Sequence, residues 1–361
     1  MATFESMSPT EADSQAIRDQ RIDQLVPLAS PALLLREHPL PAEREADVIT
    51  AREQIKRILD RDDERLLVVV GPCSVHDPAA ALDYAKRLAQ LAEELPDLLV
   101  AMRVYFEKPR TTTGWKGLIN DPHLDESADV NTGLRMARDL LLDILELGLP
   151  VGCEFLDPIT PQYIADTVAW GAIGARTTES QTHRQLASGL SMPVGFKNRT
   201  DGNLGVAVDA VRAAAAEHAF AGVDLSGTSA ILRTTGNSDC HIILRGGKGE
   251  PNHGPDSITE IVEALRGAGL PERVIVDASH DNSGKDHTRQ PGVATEIGAQ
   301  LREGERAIVG VMLESFIEPG NQKIGGEMTY GQSVTDECMG WGATVEVLRE
   351  LDDAARARRG G

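Results

Sequence analysis

From Leu66 onward, short β-branched or apolar runs alternate with longer helix-patterned segments, and eight such runs can be counted. They are LLVVVG at 66–71, LVAMRVYF at 99–106, PVGCEF at 150–155, GAIGAR at 171–176, PVGFK at 193–197, HIILRG at 241–246, RVIVDAS at 273–279 and AIVGVMLE at 307–314. Strand runs separated by helix-length segments are the signature of βαβ units and a parallel sheet. Eight of them predict an α/β fold of the closed (β/α)8 TIM-barrel type, which occupies roughly 250 residues or more as one unit. Residues 65–361 are therefore read as the barrel, and residues 1–64 as an N-terminal arm plus one helix.

Local punctuation supports this division. Asp77 and Pro78 make an N-cap and N1 proline for a helix through Leu82, Ala85, Leu88 and Ala92, and Thr160 and Pro161 repeat the device. Leu134, Ala137, Leu141, Ile144 and Leu145 mark one helical face that Gly148 stops. In the arm, Ala16, Ile22 and Leu25 give a weak helical pattern and Val48, Ile55 and Ile58 a second one. Around the turn DLSG, the FAGV and SAILRTT segments predict a β-hairpin inserted near 217–240, ahead of the sixth barrel strand.

Composition removes several classes of function. With 41% hydrophobic and 25% charged residues the chain is that of a globular protein with a sizeable core. A net charge of −20 argues against a nucleic-acid partner, which would need a long basic track. Cys73, Cys153, Cys240 and Cys338 are scattered without a CxxC pair, so a reducing cytoplasm is expected rather than a disulfide framework. The N-terminal MATFESMSPTEADSQ carries acids where a signal peptide needs basic and then apolar residues, and no uncharged apolar run approaches the ~18 residues of a membrane span. Neither export nor membrane insertion is expected.

In such a barrel the carboxyl ends of the strands form the active face. Arg103, Lys108, Arg110, Arg176, Lys197 and Arg245 fall there, together with Cys73, Glu154, His280 and Glu314. Any one basic residue at a strand end can be a solvated or paired side chain. Six on one face of an acidic chain make a local positive site for a small polyanion, because planar arginine forks grip phosphate and carboxylate bidentately. Cys73, His280, Glu314 and Asp336 match no linear metal motif, and singly each reads as a core thiol, a structural histidine or a cap. As a set they mix soft and hard donors and would suit Mn²⁺, Fe²⁺, Co²⁺ or Zn²⁺ better than Mg²⁺.

The motifs GPCSVHD, MRVYFEKPRTTTGWKGLINDP, GAIGARTTESQTHRQLASGL, GFKN, HIILRGGK, DASH, GVMLES and QSVTDEC, spread from about residue 20 to 358, resemble type I 3-deoxy-D-arabino-heptulosonate 7-phosphate (DAHP) synthase, in its aromatic-amino-acid-regulated subgroup. The resemblance implies a divalent-metal enzyme that condenses phosphoenolpyruvate, erythrose 4-phosphate and water at the opening of the shikimate pathway. By motif, Cys73, His280, Glu314 and Asp336 would be the metal ligands. Ala175, Arg176 and Arg245 would meet the phosphate of phosphoenolpyruvate, and Arg103 and Lys197 its carboxylate. Arg110 and Thr111 would meet erythrose 4-phosphate. Lys108, Glu154 and His280 would be the acid–base residues.

An aromatic effector, tyrosine favoured, would sit at Pro161, Gln162, Ser191 and Gly222 in a homodimer or homotetramer whose arm completes a neighbour's pocket. A glycine at 222 resembles the tyrosine-inhibited members, and a serine is typical of the phenylalanine-inhibited ones. Two departures stand out: Arg199 where the family commonly has glycine, and Asp281 where it commonly has alanine. The alternatives are an octulosonate synthase using arabinose 5-phosphate, a Schiff-base aldolase on Lys197, and a silent partner subunit.

Overall fold

The computed structural model describes residues 19–110 and 112–360; Ala16 and Thr111 lie outside these. Two helices, α1 (Pro31–Glu37) and α2 (Ala42–Leu59), precede β1 (Leu66–Gly71). The chain then runs through α3 (Pro78–Ala92), β2 (Leu98–Arg103), α4 (Val130–Glu146), β3 (Val151–Glu154), α5 (Pro161–Ile164), β4 (Trp170–Ile173), α6 (Gln181–Gly189), β5 (Val194–Lys197) and α7 (Gly205–Ala214). After the hairpin β6 (Ala219–Val223) and β7 (Ser229–Arg233) come β8 (His241–Leu244), α8 (Pro255–Gly267), β9 (Val274–Asp277), α9 (Gln290–Arg302), β10 (Ile308–Glu314) and α10 (Trp341–Gly360).

The parallel strands close in the order β1-β10-β9-β8-β5-β4-β3-β2, and β6 and β7 pair antiparallel outside the barrel. Every barrel strand is buried along its length, as expected where helices cover the outside and side chains fill the inside. The inner cluster stacks Leu67, Val69, Ala101, Trp170, Ile243, Ile275 and Met312, and Ile55, Ile58 and Leu59 of α2 join it. Helix α2 is therefore part of the barrel core. Arg52, also on α2, donates to the Val168 and Ala165 carbonyls and ties the helix to the turn before β4.

Three local readings change. Ile22 and Leu25 are 50% and 77% exposed and lie in no helix, because among the described residues nothing apolar covers them. The helix that does form in the arm is α1, opened by Pro31 with the Ser30 side chain accepting from Leu33 N. Thr160 makes no cap: its hydroxyl is drawn to Glu107 and the Asp157 carbonyl, and α5 lasts a single turn. By contrast, Asp77 caps α3 through the Ala79 and Ala80 amides, and Gly148 takes φ +77° just past α4.

Truncating Ile55 to alanine should cost about 2–5 kcal/mol in urea unfolding, the range for emptying a packed site. Ile49→Ala on the same helix, where the side chain is 59% exposed, should change stability by less than about 0.5 kcal/mol. Equal losses would contradict the assignment of one face of α2 to the barrel floor.

Candidate active site

Closure of β1 against β10 pairs Gly71 with Glu314. This sets the GPCS turn beside the last strand and brings Cys73, Glu314 and Asp336 together, with one donor atom from each lying within 4.8 Å of the others. His280 joins them with Nε2 3.9 Å from Glu314 Oε1. The backbone at His280 has φ +55°, a left-handed conformation uncommon for a non-glycine residue. Its Nδ1 faces Asp277 Oδ2 at 2.9 Å and the Ser279 hydroxyl at 2.7 Å, which leaves Nε2 as the free ring nitrogen. Gln290 holds Glu314 from behind, bonding both its backbone N–H and its carbonyl.

The Lys108 ammonium stands among these donors, 2.6 Å from Cys73 Sγ and 3.0 Å from Asp336 Oδ2. It holds the Asp336 carboxyl well below the usual range. Burial pushes the Cys73 thiol up to about 12, Glu314 adds to this and Lys108 offsets part of it. A thiol, an imidazole and two carboxylates that already draw a positive charge fit a divalent cation, and their mixed softness fits the transition metals.

Around this cluster Arg103, Lys197 and Arg245 are each held by an acid. Fully buried Arg103 donates to Glu314 Oε1 at 2.8 Å and to the Pro72 and Cys73 carbonyls, and lies 3.7 Å over the Tyr105 ring. Lys197 Nζ is 3.2 Å from Asp277. Burial would raise the Asp277 carboxyl, but His280 and Lys197 hold it well below the carboxylate range. Arg245 pairs with Asp281 at 2.5 Å, and Arg110 reaches the Trp115 carbonyl. Exposed Arg176 follows half-buried Ala175 and has no side-chain partner among the described residues. Glu154 is buried beside Gly174, where a Cβ would stand 2.2 Å from its Oε1; the glycine makes room for the carboxyl.

Arg199 does not take a left-handed φ, so the loop after β5 is unstrained by the missing glycine. Its charge is taken up by Glu179 at 2.5 Å and Asp201 at 3.2 Å. Two further acids had not been singled out from the sequence. Asp277 ends β9 inside DASH and carries both Lys197 and His280; its strand-end position was the available signal. Buried Glu107, next to Lys108, accepts from the Leu156 and Asp157 amides and meets the Thr160 hydroxyl at 3.0 Å. This joins the Lys108 loop to the segment leading into α5.

The remaining predicted positions lie on other elements. Pro161 and Gln162 are on α5, Ser191 follows α6 and is exposed, and Gly222 pairs with Ala230 in the hairpin. A Cβ on Gly222 would come within 2.6 Å of Leu232 Cδ1, so that side chain already fills the adjoining space. The arm links two of these elements: Ala32 N donates to Leu225 O in the hairpin turn, and the Tyr163 hydroxyl on α5 donates to Ala29 O.

A closed parallel barrel whose strand-end mouth gathers a thiol and carboxylates that could hold a metal ion, beside buried arginine and lysine side chains, defines a class: barrel enzymes with their active face at the carboxyl ends of the strands. Within that class, residues 43–349 match the DAHP synthetase I family, and the chain belongs to it. It is 56% identical over 345 residues to the Phe-sensitive phospho-2-dehydro-3-deoxyheptonate aldolase of Escherichia coli K12, covering 95% of this chain and 98% of that one. The Tyr-sensitive protein of the same organism is 53% identical over 328 residues, with 90% and 92% covered. The structure of the Francisella tularensis SCHU S4 aldolase superposes with a TM-score of 0.92 at 48% identity, covering 94% of this chain and all of that one. The family activity is 3-deoxy-7-phosphoheptulonate synthase, the opening reaction of the shikimate pathway, and the octulosonate alternative falls away.

Burial pushes the Glu107 carboxyl up to about 8 from 4.5, with Asp157 adding to it. The folded protein therefore keeps a proton that the unfolded chain loses, and stability falls as pH rises from about 4.5 to about 8, then levels. Glu107→Gln should remove this part of the slope, so urea midpoints of variant and parent should diverge in the variant's favour between pH 5 and pH 8. A constant difference across that range would contradict a protonated Glu107.

Proposed function

We propose that the strand-end residues divide the DAHP synthase reaction as follows, the carrying observation being the convergence of Cys73, Glu314 and Asp336 donors beside Arg103 and Lys108. Arg103 and Lys197 hold the carboxylate of phosphoenolpyruvate, and Arg176, Arg245 and the backbone at Ala175 hold its phosphate. Arg110 and Thr111 meet the phosphate of erythrose 4-phosphate. Cys73, His280, Glu314 and Asp336 would hold Mn²⁺, Co²⁺, Fe²⁺ or Zn²⁺, which supplies Lewis acidity toward the aldehyde oxygen.

The C3 carbon of phosphoenolpyruvate is a weak nucleophile and must be held against the aldehyde carbon, which its doubly anchored anion achieves. As the C3–C1 bond forms, charge grows on the aldehyde oxygen, and Lys108 Nζ would deliver a proton there. Positive character at C2 is met by water, and buried Glu154 accepts the proton that this water loses. Inorganic phosphate then leaves with cleavage of its C–O bond.

We further infer an aromatic amino acid effector, tyrosine favoured, at Pro161, Gln162, Ser191 and Gly222. The exposed Leu25, Val26, Leu225 and Ile231 along the arm and hairpin support a homodimer or homotetramer in which the arm reaches a neighbour. The four cysteines are free and buried, and no helix among the described residues is long and apolar enough to cross a membrane, which supports a cytoplasmic enzyme.

Exhaustive chelation should abolish activity, and Mn²⁺ or Co²⁺ should restore it. Cys73→Ala should lose metal in equilibrium dialysis while keeping its far-UV spectrum; unchanged metal binding would remove Cys73 from the ligand set. For the effector, tyrosine should inhibit more strongly than phenylalanine or tryptophan. Because Leu232 must move to admit a larger group at 222, Gly222→Ser should shift the preference toward phenylalanine. An unaltered order of inhibition would defeat the selectivity assignment.

A further inference from the structure

Arg245 differs from the other buried bases of the mouth in the way its charge is met. Its guanidinium is 5% exposed, and Nη1 lies 2.5 Å from Asp281 Oδ2 on a side chain that is itself only 13% exposed. The remaining Nη1 contact is a long 3.4 Å to the Gly246 carbonyl, and Nε is buried without a hydrogen-bond partner. Asp281 makes no other side-chain hydrogen bond or ion pair among the described residues. The backbone around the pair is fixed independently: Arg245 N donates to Asn198 Oδ1 at 2.8 Å, and Asp281 N donates to Arg245 O at 3.1 Å. Removing the carboxylate would therefore leave the strand end in place.

We propose that Asp281 is a resident anion on the phosphate-binding guanidinium, so that phosphoenolpyruvate and inorganic phosphate bind Arg245 only by displacing or crowding an internal carboxylate. The proposal rests on the assignment of Arg245 to the phosphate made above. A phosphate dianion arriving at a bare buried guanidinium gains a full charge-assisted contact. Arriving at one already neutralised at 2.5 Å, it meets a like charge in a site of low dielectric. Asp281 thus lowers affinity for both the phosphorylated substrate and the released phosphate, which favours product departure. The opposite role, a carboxylate that orients Arg245 for the ligand, has the opposite sign in binding.

The test uses the metal-loaded full chain, with dissociation constants for phosphoenolpyruvate and for inorganic phosphate measured on the parent, Asp281→Ala, the near-isosteric Asp281→Asn, Arg245→Ala and the Asp281→Ala/Arg245→Ala double variant. Both Asp281 variants should tighten phosphoenolpyruvate and inorganic phosphate about tenfold, the scale of removing a close like charge. The KM for erythrose 4-phosphate should stay unchanged, and the gain should vanish in the double variant. If Arg245→Ala weakens phosphoenolpyruvate but the Asp281 variants bind it equally or more weakly, the resident-anion role is wrong and the phosphate assignment stands. If Arg245→Ala leaves phosphoenolpyruvate binding intact, the phosphate assignment itself fails and takes the proposal with it. Equal tightening of both substrates would mark a general field effect and also overturn it.

Discussion

The contact between the first and last barrel strands is what the mouth depends on. β1 runs parallel to β10 from Leu67–Gly310 to Gly71–Glu314, and on its other edge to β2. Only that closure brings the GPCS turn, Arg103 and Glu314 together, since they belong to three strands far apart in sequence. The fit is tight: a Cβ on Gly71 would stand 2.4 Å from the Arg103 carbonyl oxygen, a backbone atom that cannot swing aside. Any side chain at 71 would push β1 from β2 at the level where Cys73 and Arg103 meet. A parallel sheet saturates its backbone donors and acceptors between strands and leaves its side chains free, so the strand ends can carry charges that the interior could not.

Those charges are not free, however. Arg103 with Glu314, Lys197 with Asp277, Lys108 with Asp336 and Arg245 with Asp281 each set a base against an acid. Breaking the fully buried Arg103–Glu314 or Lys197–Asp277 pair by removing one partner strands the other charge, which costs several kcal/mol, on the order of 3–5. The pairs therefore fix these side chains in place. Arg110 and Arg176 are the exceptions among the six bases: both are exposed and, among the described residues, neither pairs with an acid, Arg110 reaching only the Trp115 carbonyl.

The barrel was legible because eight buried strands must read as eight apolar runs, and each run found in the sequence coincides with a strand to within a few residues. Asp77 and Gly148 were legible for a related reason: a cap needs only its own helix. What could not be read was whatever depends on a neighbour distant in sequence. Thr160 has the sequence of a cap, but Glu107, on a different loop, competes for its hydroxyl. Ile22 and Leu25 have the spacing of a helix, but helix formation in a short segment relies on an apolar partner surface that the described residues do not provide. Asp277 was not legible because an acid at a strand end acquires its role only from Lys197 and His280, which other parts of the chain bring beside it.

The two departures from the family pattern, Arg199 and Asp281, illustrate how little a charge count says about a site. In sequence they are one added cation and one added anion relative to the family pattern. In the fold they do not meet: Arg199 is consumed by Glu179 and Asp201 on the rim, half-exposed and screened, whereas Asp281 is buried against the guanidinium itself. Screening by solvent makes the first pair nearly silent, and its removal by burial makes the second a direct competitor for any anion that approaches Arg245. Equal and opposite changes in formal charge therefore have unequal effects on phosphate, with burial rather than number deciding which one matters.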